Sequence, residues 1–454
     1  MSNVLLISYL FPPAGGIGVP RAVSYTKYLP AHGCEVSVLT ARWPATPVKD
    51  PNLGRQVPVG TAIYRAFNPE VPYALRDSIW KQISQPRIAP ELEDASRQSI
   101  RSRGFTGRLS KAARRAVEYV ACPDPQRVWV PFAIRLADQV IRKRGIDTLL
   151  ISIPPYSSMS IGVELKRRFP GVKLISDIRD DWRGFYLPYY DNAATPRKQR
   201  IAERLERELI ESSDYVSAIT AAQMENIRSR YPQQATSKFV CVPNGYNPDL
   251  YANLSREPAA SRKMVLTYFG SVYLNPCYSP ALLLDALDSL PDSIRENVEI
   301  RFVGRVAREA QSLLANRRVT IHQIGFLPQG EAVRYLQDTD YLVLISRDRT
   351  GHCGKLFDYL AAGRAILALT PPDGEAASVI RETGTGWCIE PESVTAIRLA
   401  LIEAYERFRE GNRSIRPDPK AIEAYAWPNL VGRMVEATGM GHCAESRLSN
   451  LSLC

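Results

Sequence analysis

Residues 340–363 read DYLVLISRDRTGHCGKLFDYLAAG. An apolar run of strand character is followed by a polar loop punctuated by Gly351 and Gly354. Apolar residues then recur at helical spacing (Leu356, Phe357, Tyr359, Leu360) until Gly363 stops the helix. Strand, loop and helix in that order form the half-unit of a parallel α/β sheet. The same pattern repeats outward along the chain. MVLTYFGS (264–271), VEIRFVG (298–304), VTIHQIG (319–325), RAILALT (364–370) and GWCIE (386–390) belong to one series. VLLISYLF (4–11), EVSVLTA (35–41), TLLISI (148–153), VKLISDI (172–178), YVSAIT (215–220) and KFVCVPNG (238–245) form another. The helical stretches RAVSYTKYLPAHG (21–33) and RKQRIAERLERELIESS (197–213) belong to this second series. The expected fold class is α/β, with two Rossmann-like, doubly wound parallel-sheet domains. Residues 1–255 and 256–420 would form them, divided near the polar stretch ANLSREPAASRK (252–263). A helix over 421–438 is expected to cross back. An irregular basic insert occupies roughly 70–130, and 439–454 reads as a mobile tail.

Bulk properties agree with two soluble domains: 454 residues exceed what one core usually supports, and 45% of them are hydrophobic. The net charge of +11 points to anionic partners or to a basic, solubilising surface. Eight cysteines and four histidines show neither zinc spacing nor a disulfide framework, so reduced thiols in the cytoplasm are expected. Val4–Phe11 lacks a basic leader and runs into Pro12-Pro13, which reads as a buried strand rather than a signal peptide. No apolar stretch approaches the roughly 20 residues that span a bilayer.

Four strand ends carry polar chemistry. FPPAGGIG (11–18) places Gly15 and Gly16 before a helix, which serves either a tight turn or close approach to an anion. SIPPYSSMSIG (152–162) offers Ser152, Tyr156 and further hydroxyls, or simply a helix cap after a rigid turn. SDIRDDW (176–182) gathers Asp177, Arg179, Asp180 and Asp181 beside Trp182, as a polar site with an aromatic platform or as a solvated, ion-paired loop. In the opening stretch the helix start at Gly354 and Lys355 suits a diphosphate, and Asp358 lies one turn in, within reach of a ribose.

Together FPPAGGIG, SIPPYSS, SDIRDDW, PNGYN (243–247), YFGS (268–271), IGFLPQGEAVRYLQDTDYLVLIS (324–346) and GKLFDYLAAG resemble the family-4-type glycosyltransferases of the GT-B fold, with bacterial surface-polysaccharide enzymes nearest in pattern. The resemblance covers most of residues 1–435. It implies two domains facing across a cleft, a nucleotide-sugar as co-substrate in the C-terminal half, and a glycan or lipid-linked acceptor in the N-terminal half. It further implies retention at the anomeric carbon, and neither a metal nor another cofactor. The implied donor-binding residues are Gly15, Gly16, Ser271, Arg305, Gly325, Phe326, Thr350, Gly354, Lys355, Leu356 and Asp358. On the acceptor side stand Ser152, Tyr156, Asp177 and Trp182, and the catalytic set is Lys355, Arg179, Asp180 and Asp181. Three departures stand out: Thr350 takes the place of the first glutamate of the family's pair, SVYLNP after YFGS holds neither of the family's usual cations, and the family's common N-terminal histidine has no clear counterpart, SDIRDDW occupying that neighbourhood. Arg305 and Lys355 are left to supply that charge.

RQSIRSRGFTGRLSKAARR (97–115) carries seven basic residues and no acidic one, which suits an anionic membrane face or a solvated loop equally. No nucleic-acid partner is expected, since stacking aromatics do not interleave with these charges. A GT-B epimerase or hydrolase, or a non-catalytic nucleotide-sugar-binding protein, are the alternatives.

Overall fold

A computed structural model of the chain describes residues 1–441 apart from 17, 45, 47, 71–121, 188–194, 253–262, 276, 337 and 413–414. The first sheet has seven parallel strands: β1 (Ser2–Ile7), β2 (Cys34–Ala41), β3 (Ala62–Ala66), β4 (Thr148–Ile153), β5 (Lys173–Ile178), β6 (Tyr215–Ala218) and β7 (Phe239–Cys241). Their spatial order is β3-β2-β1-β4-β5-β6-β7. The second sheet has six: β8 (Met264–Phe269), β9 (Val298–Val303), β10 (Thr320–Gly325), β11 (Tyr341–Ile345), β12 (Ala365–Leu369) and β13 (Gly386–Ile389), ordered β10-β9-β8-β11-β12-β13. Each is doubly wound, and each reverses its strand order at one crevice, between β1 and β4 and between β8 and β11.

Central strands read as unbroken apolar runs because helices cover both faces. Val4, Leu5 and Leu6 of β1 are fully buried, as are Leu342, Leu344 and Ile345 of β11. Edge strand β3 is absent from the sequence expectation because its residues alternate between half-buried and exposed, with only Ala66 buried, instead of running apolar. The apolar run 4–11 leaves the sheet after Ile7, and Phe11 packs into the core beside helix α1 (Val19–Tyr28). That helix gives way to a 3-10 turn over Leu29–His32, where Pro30 lacks the amide to continue an α-helical ladder.

Among the described residues the remaining helices of eight residues or more are α2 (Val130–Arg144), α3 (Ser158–Arg168), α4 (Pro196–Ser212), α5 (Ala221–Ser229), α6 (Ala281–Asp288), α7 (Lys355–Ala362), α8 (Glu375–Thr383), α9 (Val394–Arg409) and α10 (Trp427–Thr438). Helix α10 returns to the first sheet: Trp427, Leu430, Val431 and Met434 share a core with Val4, Leu6 and Val19. Six described cysteines are free thiols. Among the described residues no helix is long and apolar enough to cross a membrane. The basic stretch 97–115 and residues 442–454 of the expected tail lie outside the described residues, so the membrane-face expectation has no structural counterpart here.

Candidate active site

The loops that follow β8, β9 and β11 meet the start of α7. Gly270 and Gly304 let the first two loops touch: both have positive φ, and a Cβ on Gly304 would lie 2.2 Å from the Gly270 carbonyl oxygen. Against Gly270 lies Lys355, whose Nζ sits 3.8 Å from the centroid of the Tyr268 ring. Among the described residues Lys355 forms no ion pair. It is the first residue of α7, at the positive pole of the helix dipole, where a cation is disfavoured unless an anion joins it. The amides of Leu356 and Phe357 are taken by the carbonyls of Cys353 and Gly354. Those of Gly354 and Lys355 have no partner among the described residues and remain as the anion donors. Leu356 itself is fully buried, so its side chain serves the core rather than a ligand.

Ser271 and Arg305 flank this point, half-buried, with the amide of Val272 donating to the Arg305 carbonyl at 2.8 Å. Gly325 ends β10 with φ +86, and Phe326 beyond it is 46% exposed, an apolar face left open at the rim. Asp358 receives the Tyr251 hydroxyl at 2.5 Å and the Gln329 side-chain amide at 3.3 Å, both on Oδ1. Its Oδ2 has no hydrogen bond among the described residues. Burial pushes the Asp358 pKa up to about 6, although both hydrogen bonds pull it down.

Thr350 does not stand open. Its amide and hydroxyl donate to Asp348 at 2.8 and 3.1 Å, and its carbonyl accepts the Thr220 hydroxyl from the N-terminal half. Thr350, expected among the donor-binding residues, thus has its hydroxyl engaged within its own loop. Asp348, two residues earlier, is the acid at this loop, and burial raises its pKa.

In the N-terminal half the glycine loop meets Arg179. A Cβ on Gly18 would lie 2.3 Å from the Arg179 guanidinium, so a side chain there would displace the arginine from this contact. Arg179 also donates to the Pro154 carbonyl at 2.9 Å, tying together the loops after β1 and β4, and its buried Nε has no partner. Gly15 is buried against Val48, whereas Gly16 is exposed with φ +110. Asp180 reaches solvent and makes no hydrogen bond or ion pair among the described residues. The protein crowded around its carboxyl, exposed though the residue is, raises its pKa; Arg179 offsets this, and Asp348 from the other half adds to it.

In the N-terminal half five sequence assignments are corrected. Asp177 lies within β5, fully buried, and both its oxygens receive the Arg21 guanidinium at 2.7 and 2.8 Å. Asp181 is likewise spent: Arg230 holds both oxygens at 2.8 and 3.0 Å, and the Gly184 amide caps onto it. Trp182 is not a platform for sugar, because its ring is 1% exposed and stacks on Tyr156 at 4.6 Å. Tyr156 is buried in the same core, and Ser152 sits inside β4 opposite Asp177.

Asp348 was missed at the sequence level, as were Arg21 and His352. Arg21 is a single cation in the buried first turns of α1, a signal that becomes legible only once a strand-embedded acid faces it. His352 is buried against Phe357, and its pKa is pushed down to about 4 by burial. Its Nδ1 has no hydrogen-bond partner among the described residues, while the loop before α7 docks on the N-terminal half through the Thr220 hydroxyl on the Thr350 carbonyl. Among the described residues no group of three or more His, Cys, Asp or Glu is placed to hold a metal ion.

Residues 15–245 match the model of the glycosyl transferase 4-like domain, and residues 263–407 match that of the glycosyl transferases group 1. No curated protein sequence matches the chain. Among solved structures, the sucrose-phosphate synthase of Thermosynechococcus elongatus is 14% identical with a TM-score of 0.58, covering 96% of this chain and 98% of its own. HepE of Anabaena, solved in complex with UDP-glucose, is 12% identical with a TM-score of 0.58, covering 97% and 100%. The lipopolysaccharide outer core galactosyltransferase WaaB is 13% identical with a TM-score of 0.55, covering 96% and 99%. With both halves matched in order and a pair of doubly wound sheets beneath them, the chain belongs to the glycosyl transferase 4-like family and is a glycosyltransferase of the GT-B type.

Proposed function

We propose that this enzyme transfers a sugar from a nucleotide-sugar to a hydroxyl of a glycan or lipid-linked acceptor. Transfer proceeds with retention, without a metal or other cofactor, in the building of a bacterial polysaccharide. The observation that carries this reading is Lys355: a cation with no ion pair among the described residues, at the positive pole of α7, beside the Gly270–Gly304 crossing. That arrangement is costly without an anion and favourable with a diphosphate. Charge accumulates on the diphosphate as the glycosidic bond breaks, so a preorganised ammonium and two free amides stabilise the transition state more than the ground state. Asp358, through its open Oδ2, accepts from the ribose, and Phe326 borders the base. The acceptor enters from the side of Arg179 and Asp180. HepE, with its bound UDP-glucose, supports a nucleotide-sugar as the donor class.

The test is a panel of nucleotide-sugars offered with candidate glycan and lipid-linked acceptors, read by nucleoside diphosphate release. At least one donor should be consumed, with the product keeping the donor's anomeric configuration by NMR. A chain that binds no nucleoside diphosphate and consumes no donor overturns the proposal. Product of inverted configuration removes the retention.

Asp358 adds a pH signature. Its carboxyl binds ribose in the ionised form, so kcat/KM for the donor should fall about tenfold per pH unit below about 6. Its stability linkage has the opposite sense. A folded-state pKa raised above the usual carboxylate value contributes stability that is present in acid and is lost as pH rises through about 6. Asp358→Asn should therefore abolish the acid limb and weaken donor binding without lowering the melting temperature at pH 7.5. A limb that persists in this variant assigns it to another group.

A further inference from the structure

We infer that Asp50 is a positioning residue that links the glycine loop of the N-terminal half to the nucleotide-binding carboxylate of the C-terminal half through Gln329. This inference rests on the donor-site reading above, and the chain of contacts runs without a break among the described residues. The Asp50 amide donates to the Pro13 carbonyl at 3.1 Å, and Gly15 is glycine partly because a Cβ there would lie 3.1 Å from that same amide. Asp50 is 4% exposed, so its carboxylate sits in the protein rather than in water. One oxygen caps the 3-10 turn Pro51–Gln56 through the Asn52 amide at 3.0 Å. The other crosses to the opposite half and accepts the backbone amide of Gln329 at 3.1 Å. From there the Gln329 side chain reaches Asp358 Oδ1 at 3.3 Å, where the Tyr251 hydroxyl, from the turn that ends the N-terminal half, also donates.

A buried carboxylate that divides its two oxygens between the two halves has a consequence for binding. When the halves are together, Gln329 is held in place and Asp358 has Oδ1 occupied, which fixes the carboxylate plane and leaves Oδ2 for the donor. When they part, Gln329 loses its anchor and Asp358 is free to rotate. Part of the free energy of closure is then available to the donor, as coupling between a conformational equilibrium and a ligand requires. The glycine loop lies on the same chain of contacts, so its position and that of Asp358 are set together.

The experiment uses the full-length chain with Asp50→Asn, Gln329→Ala and the double variant. Gln329→Ala keeps the backbone amide that Asp50 holds and removes only the reach to Asp358, so it folds. Each single variant should lower donor kcat/KM about tenfold, with kcat at saturating donor changed less than about twofold, since the bound donor itself draws the halves together. Because the two act in series, the double variant should lose no more than the worse single one. Multiplicative losses, or single variants within about twofold of the parent in kcat/KM, overturn the inference. A loss in Asp50→Asn matched by a fall in melting temperature, with Gln329→Ala unaffected, reduces Asp50 to a turn cap and overturns it as well. Failure of the donor reading shows up separately, as a parent chain that binds no nucleoside diphosphate in calorimetry.

Discussion

Lys355→Ala is expected to lower sugar transfer by about 100- to 1,000-fold while the protein stays folded. The magnitude follows from where the ammonium stands. Its work is done as the nucleoside diphosphate departs, when negative charge peaks and water is excluded, so the loss should appear in kcat as well as in kcat/KM. Stability should change little. Lys355 forms no ion pair among the described residues, and its contact with the Tyr268 ring is worth about 0.5–1 kcal/mol. Removing a cation from the positive end of α7 even relieves a repulsion of similar size. Calorimetric titration with nucleoside diphosphates should show weaker binding in parallel. Turnover at the parental rate in a correctly folded variant would withdraw the diphosphate role from this helix start.

The difference between what the sequence discloses and what it hides lies in the range of the interactions. Apolar runs on central strands announce themselves because both faces are buried, so TLLISI and its counterparts become strands with little shift at their ends. Glycine-punctuated strand ends are equally legible, since the loops after β1 and β11 lie where the strand order reverses. Edge strand β3 is not legible, because its alternating pattern matches that of an exposed loop. Charge is harder still. SDIRDDW presents four ionisable groups within five positions, yet the fold turns Asp177 into the sheet, gives Asp181 to Arg230, and leaves Asp180 exposed. Those fates are decided by Arg21 and Arg230, which are 156 and 49 residues away from their acids in the chain. Local spacing carries no record of such partners. Asp50 and Gln329 are further apart again: Gln329 lies within the stretch 324–346, but nothing in that stretch points to Asp50.

The same long-range pairing makes Asp177 the place where a single change should do most damage to the fold. Asp177→Ala is expected to cost about 3–5 kcal/mol, read as a fall in the urea midpoint of the N-terminal half. Arg21 is 2% exposed and is held protonated, with the attraction of Asp177 overcoming the penalty of burial. Its guanidinium also donates to the carbonyls of Pro243 and Val242, and lies over the rings of Tyr25 and Trp427. Without Asp177 that charge stays in place with no counter-ion, and the Ser217 hydroxyl, now 2.6 Å from Asp177, loses its acceptor too. The damage should therefore spread from β5 to the seat of α10. Replacing both partners, as in Arg21→Met with Asp177→Leu, removes the buried charge altogether and should recover much of the loss. A double variant as unstable as Asp177→Ala alone would mean that the ring and carbonyl contacts of Arg21, rather than its ion pair, hold the crossing helix against the first sheet.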